Sequence, residues 1–229
     1  MSNTKLQDNQ FHKDSINALR VQDPAIALIF GFESTLHRSL AANLLCLSGE
    51  LENAIHIPKE PMLAAIRVQW WHDTIANDAD EHTGNVPPLI VRLRIHISAG
   101  DIKKDDILRL IGGWQACTMD ETASSTNAWS LCWHLIGSSL GDEKIANMAK
   151  KMAVLLHSKQ SPDKPIIVKP DNAYFTDIRK QAKQSDQWWL YFASIIGYCR
   201  HSDSHALNDE HLLIWRLLGW RLFGFKTPN

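Results

Sequence analysis

The chain has 229 residues, of which 45% are hydrophobic and 21% charged, and its formal net charge is −1. This balance is that of an ordinary globular protein with enough length to bury a substantial core. The near-zero charge argues against a nucleic-acid-binding protein held by phosphate neutralisation, and no window approaches the roughly 18 consecutive apolar residues of a membrane-spanning helix.

Helical patterns follow one another along the chain. Residues 1–14 are polar and lack the apolar core of a secretory signal, so we expect a flexible N-terminus before a helical domain over 15–225. The spacing predicts a helix over 15–31, then a longer one that Ser34 caps. Pro61 occupies a tolerated first-turn position in the next helix. Further helical patterns cover 87–98, 104–118, 122–139, 142–157, 171–182, 185–200 and 208–224.

Two segments interrupt these patterns. Residues 78–88 are rich in Gly, Pro, Asn and Asp, and residues 158–170 form a connector broken by prolines. Four cysteines lie far apart without a CxxC pair, which favours free thiols in a reducing compartment over a zinc site. We therefore expect an all-α, single-domain protein in the cytoplasm.

The helix EPMLAAIRVQWWHDTI, residues 60–75, has two apolar stripes. One contains Met62, Leu63, Ile66, Trp70 and Thr74, and the other Ala64, Val68, Trp71 and Ile75. A helix that is apolar on two sides is typical of the middle of a bundle. Arg67 lies between the stripes beside the tryptophan pair. It either stacks on an indole and pairs with a carboxylate, or lines a cavity and binds an anion such as a diphosphate.

This helix resembles a helix of the squalene/phytoene synthase superfamily, in which an arginine precedes a Trp-Trp pair shortly after a proline. It is most similar to the divergent alphaproteobacterial and mitochondrial branch. The segment HRSLAANLLCLSGELENAI, residues 37–55, resembles the preceding helix of that branch, and Asp23–Pro24 resembles its opening motif. TASSTNAWSLCWHLIGSSLG, residues 122–141, is similar to the following helix. The resemblance implies an isoprenoid synthase fold, a helical bundle around a central cavity.

Active members of that superfamily hold Mg²⁺ against a prenyl diphosphate with two D-x-x-x-D motifs on facing helices. The resemblance aligns the first motif with residues 52–56, where Glu52 and His56 share a helical face but supply only one carboxylate. Glu50 matches a glutamate that the divergent branch retains. The second motif aligns with Ser158 and Pro162, where no aspartate pair occurs.

Asp101 and Asp105, in DIKKDD, also have the D-x-x-x-D spacing. They open a helix among lysines, where capping and compensation of the helix dipole explain them better than metal binding. No HExxH pattern or G-x-S-x-G elbow occurs, although sequence alone leaves a Ser-His-Asp triad open. The tryptophans at helical spacing are expected in the core: Trp114, Trp129, Trp133 and Trp188.

The resemblance therefore implies a non-catalytic protein that binds a partner. Eukaryotic members of the divergent branch are implicated in assembling respiratory NADH dehydrogenase, so the expected partners are a respiratory-complex subunit or an isoprenoid ligand. The candidate cavity or ligand-binding residues are Arg38, Glu50, Glu52, His56, Arg67, Trp70 and Trp71. We expect Arg67 to pair with Glu50 or Glu52.

Two alternatives remain open. An active prenyl-diphosphate transferase for head-to-head condensation would need Mg²⁺, for which Glu52 is the one candidate ligand. An isoprenoid or lipid carrier would use the cavity without metal. No catalytic residue is assigned, and no cofactor is expected outside the enzyme alternative.

The C-terminal segment 211–225 has its own apolar stripe, with Arg216 and Arg221 to either side. The stripe consists of Ile214, Leu218, Leu222 and Phe225. It predicts either a last helix packed on the bundle or an interfacial helix with its arginines at lipid headgroups. The second interpretation would place the protein at the periphery of the inner membrane.

Overall fold

The computed structural model describes residues 2–58, 60–77, 86–119, 124–157, 172–201 and 210–223, and the regular structure in these ranges is entirely helical. The α-helices are α1 (Ser2–Gln22), α2 (Pro24–Ile29), α3 (Thr35–His56), α4 (Pro61–Ala76), α5 (Pro88–Ala99), α6 (Lys104–Met119), α7 (Ser125–Leu140), α8 (Glu143–His157), α9 (Asn172–Gln184), α10 (Trp188–His201) and α11 (Glu210–Phe223). The predicted all-α, single-domain class is confirmed. Residues 78–85 of the first predicted loop and the whole connector 158–170 lie outside the described residues.

The N-terminal helices differ from the prediction of one helix over 15–31. Helix α1 begins at Ser2, inside the segment expected to be flexible, and Asp23 separates it from α2. Pro24 occupies the first turn of α2, and Asp23 caps this helix by accepting a hydrogen bond from the Ile26 N–H at 3.0 Å. Its other carboxylate oxygen lies 2.7 Å from the Arg200 guanidinium of α10. Asp23 therefore ties two distant parts of the chain together.

Aromatic side chains fill the middle of the bundle. Phe30 follows α2 in a short 3-10 turn and stacks on Trp133 of α7 and Trp189 of α10, with ring centroids 6.2 and 5.8 Å away. The two indoles are themselves 6.3 Å apart. All three rings are fully buried, as is Trp114. Aromatic rings packed this way bury a large apolar area.

Helices α7 and α8 make the most extensive helix–helix contact in the described part of the chain. They come together at Gly137, where a Cβ would lie 2.6 Å from the Ala146 Cα and 2.9 Å from the Ala149 Cβ. Real Cβ atoms do not approach backbone this closely. Only glycine lets the two helices approach this closely.

Gly137→Ala is therefore expected to destabilise the protein by about 1–3 kcal/mol, because the added methyl group pushes α8 away from α7. Gly112→Ala in α6 is the matched control. A Cβ at Gly112 meets nothing within 4 Å, and alanine favours a helix interior over glycine by about 0.5–1 kcal/mol. Urea denaturation of both variants checks the prediction, and equal free energies of unfolding for them would contradict it.

Helix α11 packs through a different side from the one predicted. Leu213 and Leu217 are fully buried, and half-buried Trp220 contacts the core. The exposed large apolar side chains, which we call the α11 outer face, are Ile214, Trp215, Leu222 and Phe223. The predicted packing stripe of Ile214, Leu218, Leu222 and Phe225 is thus wrong for Ile214 and Leu222. Leu218 is half-buried, and Phe225 lies outside the described residues.

Candidate functional site

A groove of about 370 Å³ runs between the end of α3 and the exposed side of α4. Its lining, which we call the α3/α4 groove, consists of Glu50, Asn53, Ala54, Ile57, Ile66, Arg67, Trp70 and Trp71. The two indoles meet edge to face with their centroids 5.3 Å apart. Four of the seven predicted site residues therefore come together here: Glu50, Arg67, Trp70 and Trp71.

Helix α4 lies at the surface of the bundle, so its predicted position in the middle of the bundle is wrong. The stripe of Ala64, Val68, Trp71 and Ile75 is buried. The other stripe faces solvent, and its exposed apolar side chains, together with Ile57 at the end of α3, form what we call the α4 apolar face: Ile57, Met62, Leu63, Ile66 and Trp70. Met62 is 75% exposed and Trp70 46% exposed, whereas Trp71 is 8% exposed. The sequence pattern found both stripes but could not show which of them faces solvent.

The predicted ion pair between Arg67 and Glu50 or Glu52 does not form among the described contacts. The two glutamates point to different sides of α3, since Glu50 lines the α3/α4 groove and Glu52 lines a separate inner cavity. Arg67 is exposed and keeps its hydration, so little free energy would be gained by fixing it against a carboxylate.

The inner cavity lies where α1, α2, α3, α7 and α8 converge. Its volume is about 150 Å³, and its polar lining consists of Gln22, Asp23, Glu52, Trp129 and His157. Small-molecule sites span roughly 300–1,000 Å³, so this cavity is too small for a prenyl chain. The inner cavity is therefore not the large central cavity that the resemblance implies.

Both carboxylates and the imidazole of this cavity already have partners. Trp133 donates its indole N–H to His157 Nε2 at 2.9 Å, and the imidazole stacks on Trp129 with centroids 3.7 Å apart. Glu52 and His56 share a face, with Glu52 Oε1 and His56 Nε2 4.0 Å apart. Asp23, the other carboxylate here, is bound to Arg200.

These donors do not fit Mg²⁺, which prefers several oxygen ligands in octahedral geometry. In the described ranges, no three His, Cys, Asp or Glu side chains gather in a way that could hold a metal ion. These residues therefore do not supply the Mg²⁺ site that the transferase alternative requires.

Arg38, the remaining predicted cavity residue, is a structural contact. Its Nη2 donates to the Glu33 carbonyl at 2.9 Å and the Gly31 carbonyl at 3.3 Å. It thereby satisfies carbonyl groups of the 3-10 turn after α2 and holds the connection into α3. Burial raises the pKa of the neighbouring Glu33 carboxyl, with smaller opposing effects from His37 and Arg38.

A wider groove of about 560 Å³ adjoins the first one on the side of α1 and α5. It shares Glu50, Asn53 and Trp71 with the α3/α4 groove and adds Arg92, which donates from Nε to Asn43 Oδ1 at 2.9 Å. Burial lowers the pKa of Arg92. The end of α3 is thus surrounded by grooves with mixed apolar and polar walls.

The sequence did not reveal a buried polar relay that joins α1, α3 and α5. His96 Nδ1 lies 2.8 Å from Asp101 Oδ2, and Nε2 lies 3.3 Å from Ser39 Oγ, which is 2.8 Å from His12 Nδ1. The order Asp-His-Ser has the residue types of a catalytic triad. Ser39 and His96 are fully buried, however, and no described pocket reaches them. The relay is therefore a structural link.

Asp101 reaches His96 through the turn that ends α5. Gly100 adopts the left-handed conformation with φ 79°, and the Asp101 N–H bonds to the His96 carbonyl at 3.0 Å. This is a Schellman turn, which brings the residue after the glycine back onto the last helical turn. Asp101 was predicted to cap the next helix or compensate its dipole. This prediction is wrong, because α6 begins at Lys104. The sequence signal for this turn was a glycine, Gly100, placed between His96 and Asp101.

The buried thiols are poor nucleophiles. Burial raises the pKa of Cys46 to about 12 and that of Cys132 to about 12. Both stay protonated near neutral pH, where a thiolate would be needed for nucleophilic attack. The cysteines of the described chain are free thiols, as the sequence predicted.

Fold and surface together define a single-domain, all-α protein with two exposed apolar surfaces, the α4 apolar face and the α11 outer face. The α3/α4 groove, with apolar and polar walls, lies beside the first of them. In comparisons with known proteins, the chain matches no protein-family model, no curated protein and no solved structure. Among the described helices, none combines the length and apolarity needed to cross a bilayer.

Proposed function

We propose that this protein is a non-catalytic binding factor of the squalene/phytoene synthase type that helps to assemble a membrane respiratory complex. The observation that carries the proposal is the α4 apolar face, with Met62 and Trp70 exposed beside the α3/α4 groove. Contiguous exposed apolar side chains on a soluble fold mark interaction sites, and tryptophan is enriched among the residues that dominate binding energy.

Two further features support binding at the surface over chemistry in the interior. The interior is packed with the stacked rings of Phe30, Trp133 and Trp189. Glu50 and Arg67, the two charged residues of the groove, are exposed and not paired with each other, so they are available for opposite charges on a partner. The assembly role itself comes from the resemblance at residues 37–76.

An isoprenoid carrier is the second candidate function. The α3/α4 groove has about 370 Å³, within the roughly 300–1,000 Å³ of small-molecule sites, and Arg67 could meet a diphosphate at its edge. Titration of a non-hydrolysable farnesyl diphosphate analogue, with and without Mg²⁺, separates the candidates. A binding factor should give no heat in either condition, a carrier should bind without Mg²⁺, and an enzyme should bind only with it.

The assembly role is tested by deleting the gene in its native host and complementing it with variants. Ile66→Ser combined with Trp70→Ser should fail to restore membrane NADH dehydrogenase activity, because the substitutions remove the centre of the α4 apolar face. Each lost anchor of this kind weakens a protein complex by about 2 kcal/mol or more. Native gels of the membranes would show whether subcomplexes accumulate.

The matched control is Ile95→Ser, which removes an exposed apolar side chain from α5, outside the α4 apolar face. This variant should restore NADH dehydrogenase activity fully in the deletion strain. The proposal would be refuted if deletion left NADH dehydrogenase intact, or if the α4 double variant, shown to be folded by circular dichroism, complemented as well as Ile95→Ser.

A further inference from the structure

Arg92 of α5 is a half-buried cation on the wall of the wide groove beside α1 and α5, which we call the α1/α5 groove. Burial is the main cause that lowers the pKa of Arg92, and Cys46 and Asp14 oppose it with smaller effects. Within the described ranges, no carboxylate lies at ion-pair distance from the guanidinium. Removing a charge from water is unfavourable unless a counter-ion or hydrogen bonds replace the water, so this cation is placed to receive an anion.

Asn43 of α3 holds the guanidinium of Arg92 in place. Asn43 is fully buried, its Oδ1 accepts from Arg92 Nε at 2.9 Å, and its Nδ2 has no partner in the described part of the chain. The opposite orientation of the amide would set two donors against each other, so the bond to Arg92 fixes it. Because this bond uses Nε, the two terminal Nη groups are left, and together they match the two oxygens of a carboxylate.

The surroundings of Arg92 favour a ligand with a single negative charge. Burial is the main cause of the raised pKa of Cys46, and smaller opposing effects come from Arg92 and Glu50, so both charges lie near this thiol on the groove wall. Glu50 is exposed on the same groove and would repel a second negative charge on the ligand, which argues against a phosphate or a diphosphate. The apolar part of the wall, which includes Trp71 and Leu89, favours a hydrocarbon body on the ligand.

We propose that the α1/α5 groove binds a small organic monocarboxylate with an apolar body, whose carboxylate pairs with the Arg92 guanidinium and whose body lies against Trp71 and Leu89. The volume of the groove, about 560 Å³, falls within the roughly 300–1,000 Å³ of small-molecule sites. Such sites combine mostly apolar walls with a few fixed polar groups that orient the ligand, which is the part that Arg92 takes here. The proposal goes beyond the assembly role, because Arg92 lies outside both the α4 apolar face and the α3/α4 groove.

The test is isothermal titration of octanoate into the purified full-length protein. Octan-1-ol and octylamine, which keep the apolar body without the negative charge, are titrated beside it, as is octyl phosphate, which adds a second negative charge. Octanoate should bind one molecule per chain, and octan-1-ol should bind at least about tenfold more weakly, because it cannot form the charge-assisted pair. Octylamine should not bind, and octyl phosphate should bind more weakly than octanoate because of Glu50.

Variants assign the binding to this groove. Arg92→Gln should weaken octanoate binding at least about tenfold and remove the preference for octanoate over octan-1-ol. Asn43→Asp places a carboxylate beside the guanidinium from within the chain, so it should also weaken octanoate binding while it preserves the contact between α3 and α5. Glu50→Gln should bring the affinity for octyl phosphate closer to that for octanoate. The matched control is Arg109→Gln, which removes an exposed arginine of α6 outside the groove and should leave octanoate binding unchanged.

Three results would overturn the proposal. The first is the absence of octanoate binding, and the second is equal affinity for octanoate and octan-1-ol. The third is unchanged octanoate binding in Arg92→Gln and Asn43→Asp when circular dichroism shows both variants to be folded. Loss of binding in Arg67→Gln with full binding in Arg92→Gln would place the carboxylate in the α3/α4 groove and would also count against it. All of these measurements use the purified protein alone, so they are independent of the result of the complementation experiment.

Discussion

Trp133→Ala is expected to lower the free energy of unfolding by about 3–5 kcal/mol, the range for removing a large aromatic side chain from a packed core. Trp133 is fully buried and packs against both Phe30 and Trp189, so its loss leaves a cavity in the aromatic cluster. The indole N–H also donates to His157, which would lose that hydrogen bond. Urea denaturation followed by far-UV circular dichroism measures the effect.

Trp215→Ala is the control for the same substitution at the surface. Its side chain is 70% exposed, so the free energy of unfolding should change by no more than about 0.5 kcal/mol. If Trp133→Ala cost as little as Trp215→Ala, the aromatic stack would not be a fixed element of the core. The account of an interior filled by these aromatic rings would then be wrong.

The helices were predictable because each one has a local signal. Ser34 caps α3 by accepting from the His37 N–H at 3.2 Å, and Pro61 and Pro88 stand in the first turns of α4 and α5. The break at Asp23 was missed because apolar residues on both sides keep the helical period. It is visible only in the Asp-Pro pair, where Asp23 caps α2 and Pro24 occupies the first turn.

The candidate site was predictable only in part, because a pattern shows which residues share a face and not what covers that face. The two stripes of α4 were both found, yet one of them packs in the core and the other faces solvent. The same is true of α11, where Leu213 and Leu217 are buried, whereas Ile214 and Leu222 of the predicted stripe face solvent. Packing decides between such faces through contacts far apart in sequence.

Asp101→Ala is expected to lower the free energy of unfolding by about 1–3 kcal/mol, because it leaves the buried imidazole of His96 without its partner. The distance from Asp101 Oδ2 to His96 Nδ1 is 2.8 Å, and only 1% of the His96 side chain is exposed, so the ring depends on the carboxylate at Nδ1. The carboxylate also fixes the orientation of the ring, which places Nε2 3.3 Å from Ser39 Oγ.

Two further variants separate the relay from general effects of lost charge. Asp101→Asn retains an oxygen that can accept from Nδ1–H, so it should lose less stability than alanine does. Asp106→Ala breaks the exposed pair with Arg109, at 3.1 Å, and should cost no more than about 1 kcal/mol. Equal losses for Asp101→Ala and Asp106→Ala in urea denaturation would mean that the relay does not hold α1, α3 and α5 together. The ordering expected from the buried geometry is Asp101→Ala largest, Asp101→Asn intermediate and Asp106→Ala smallest.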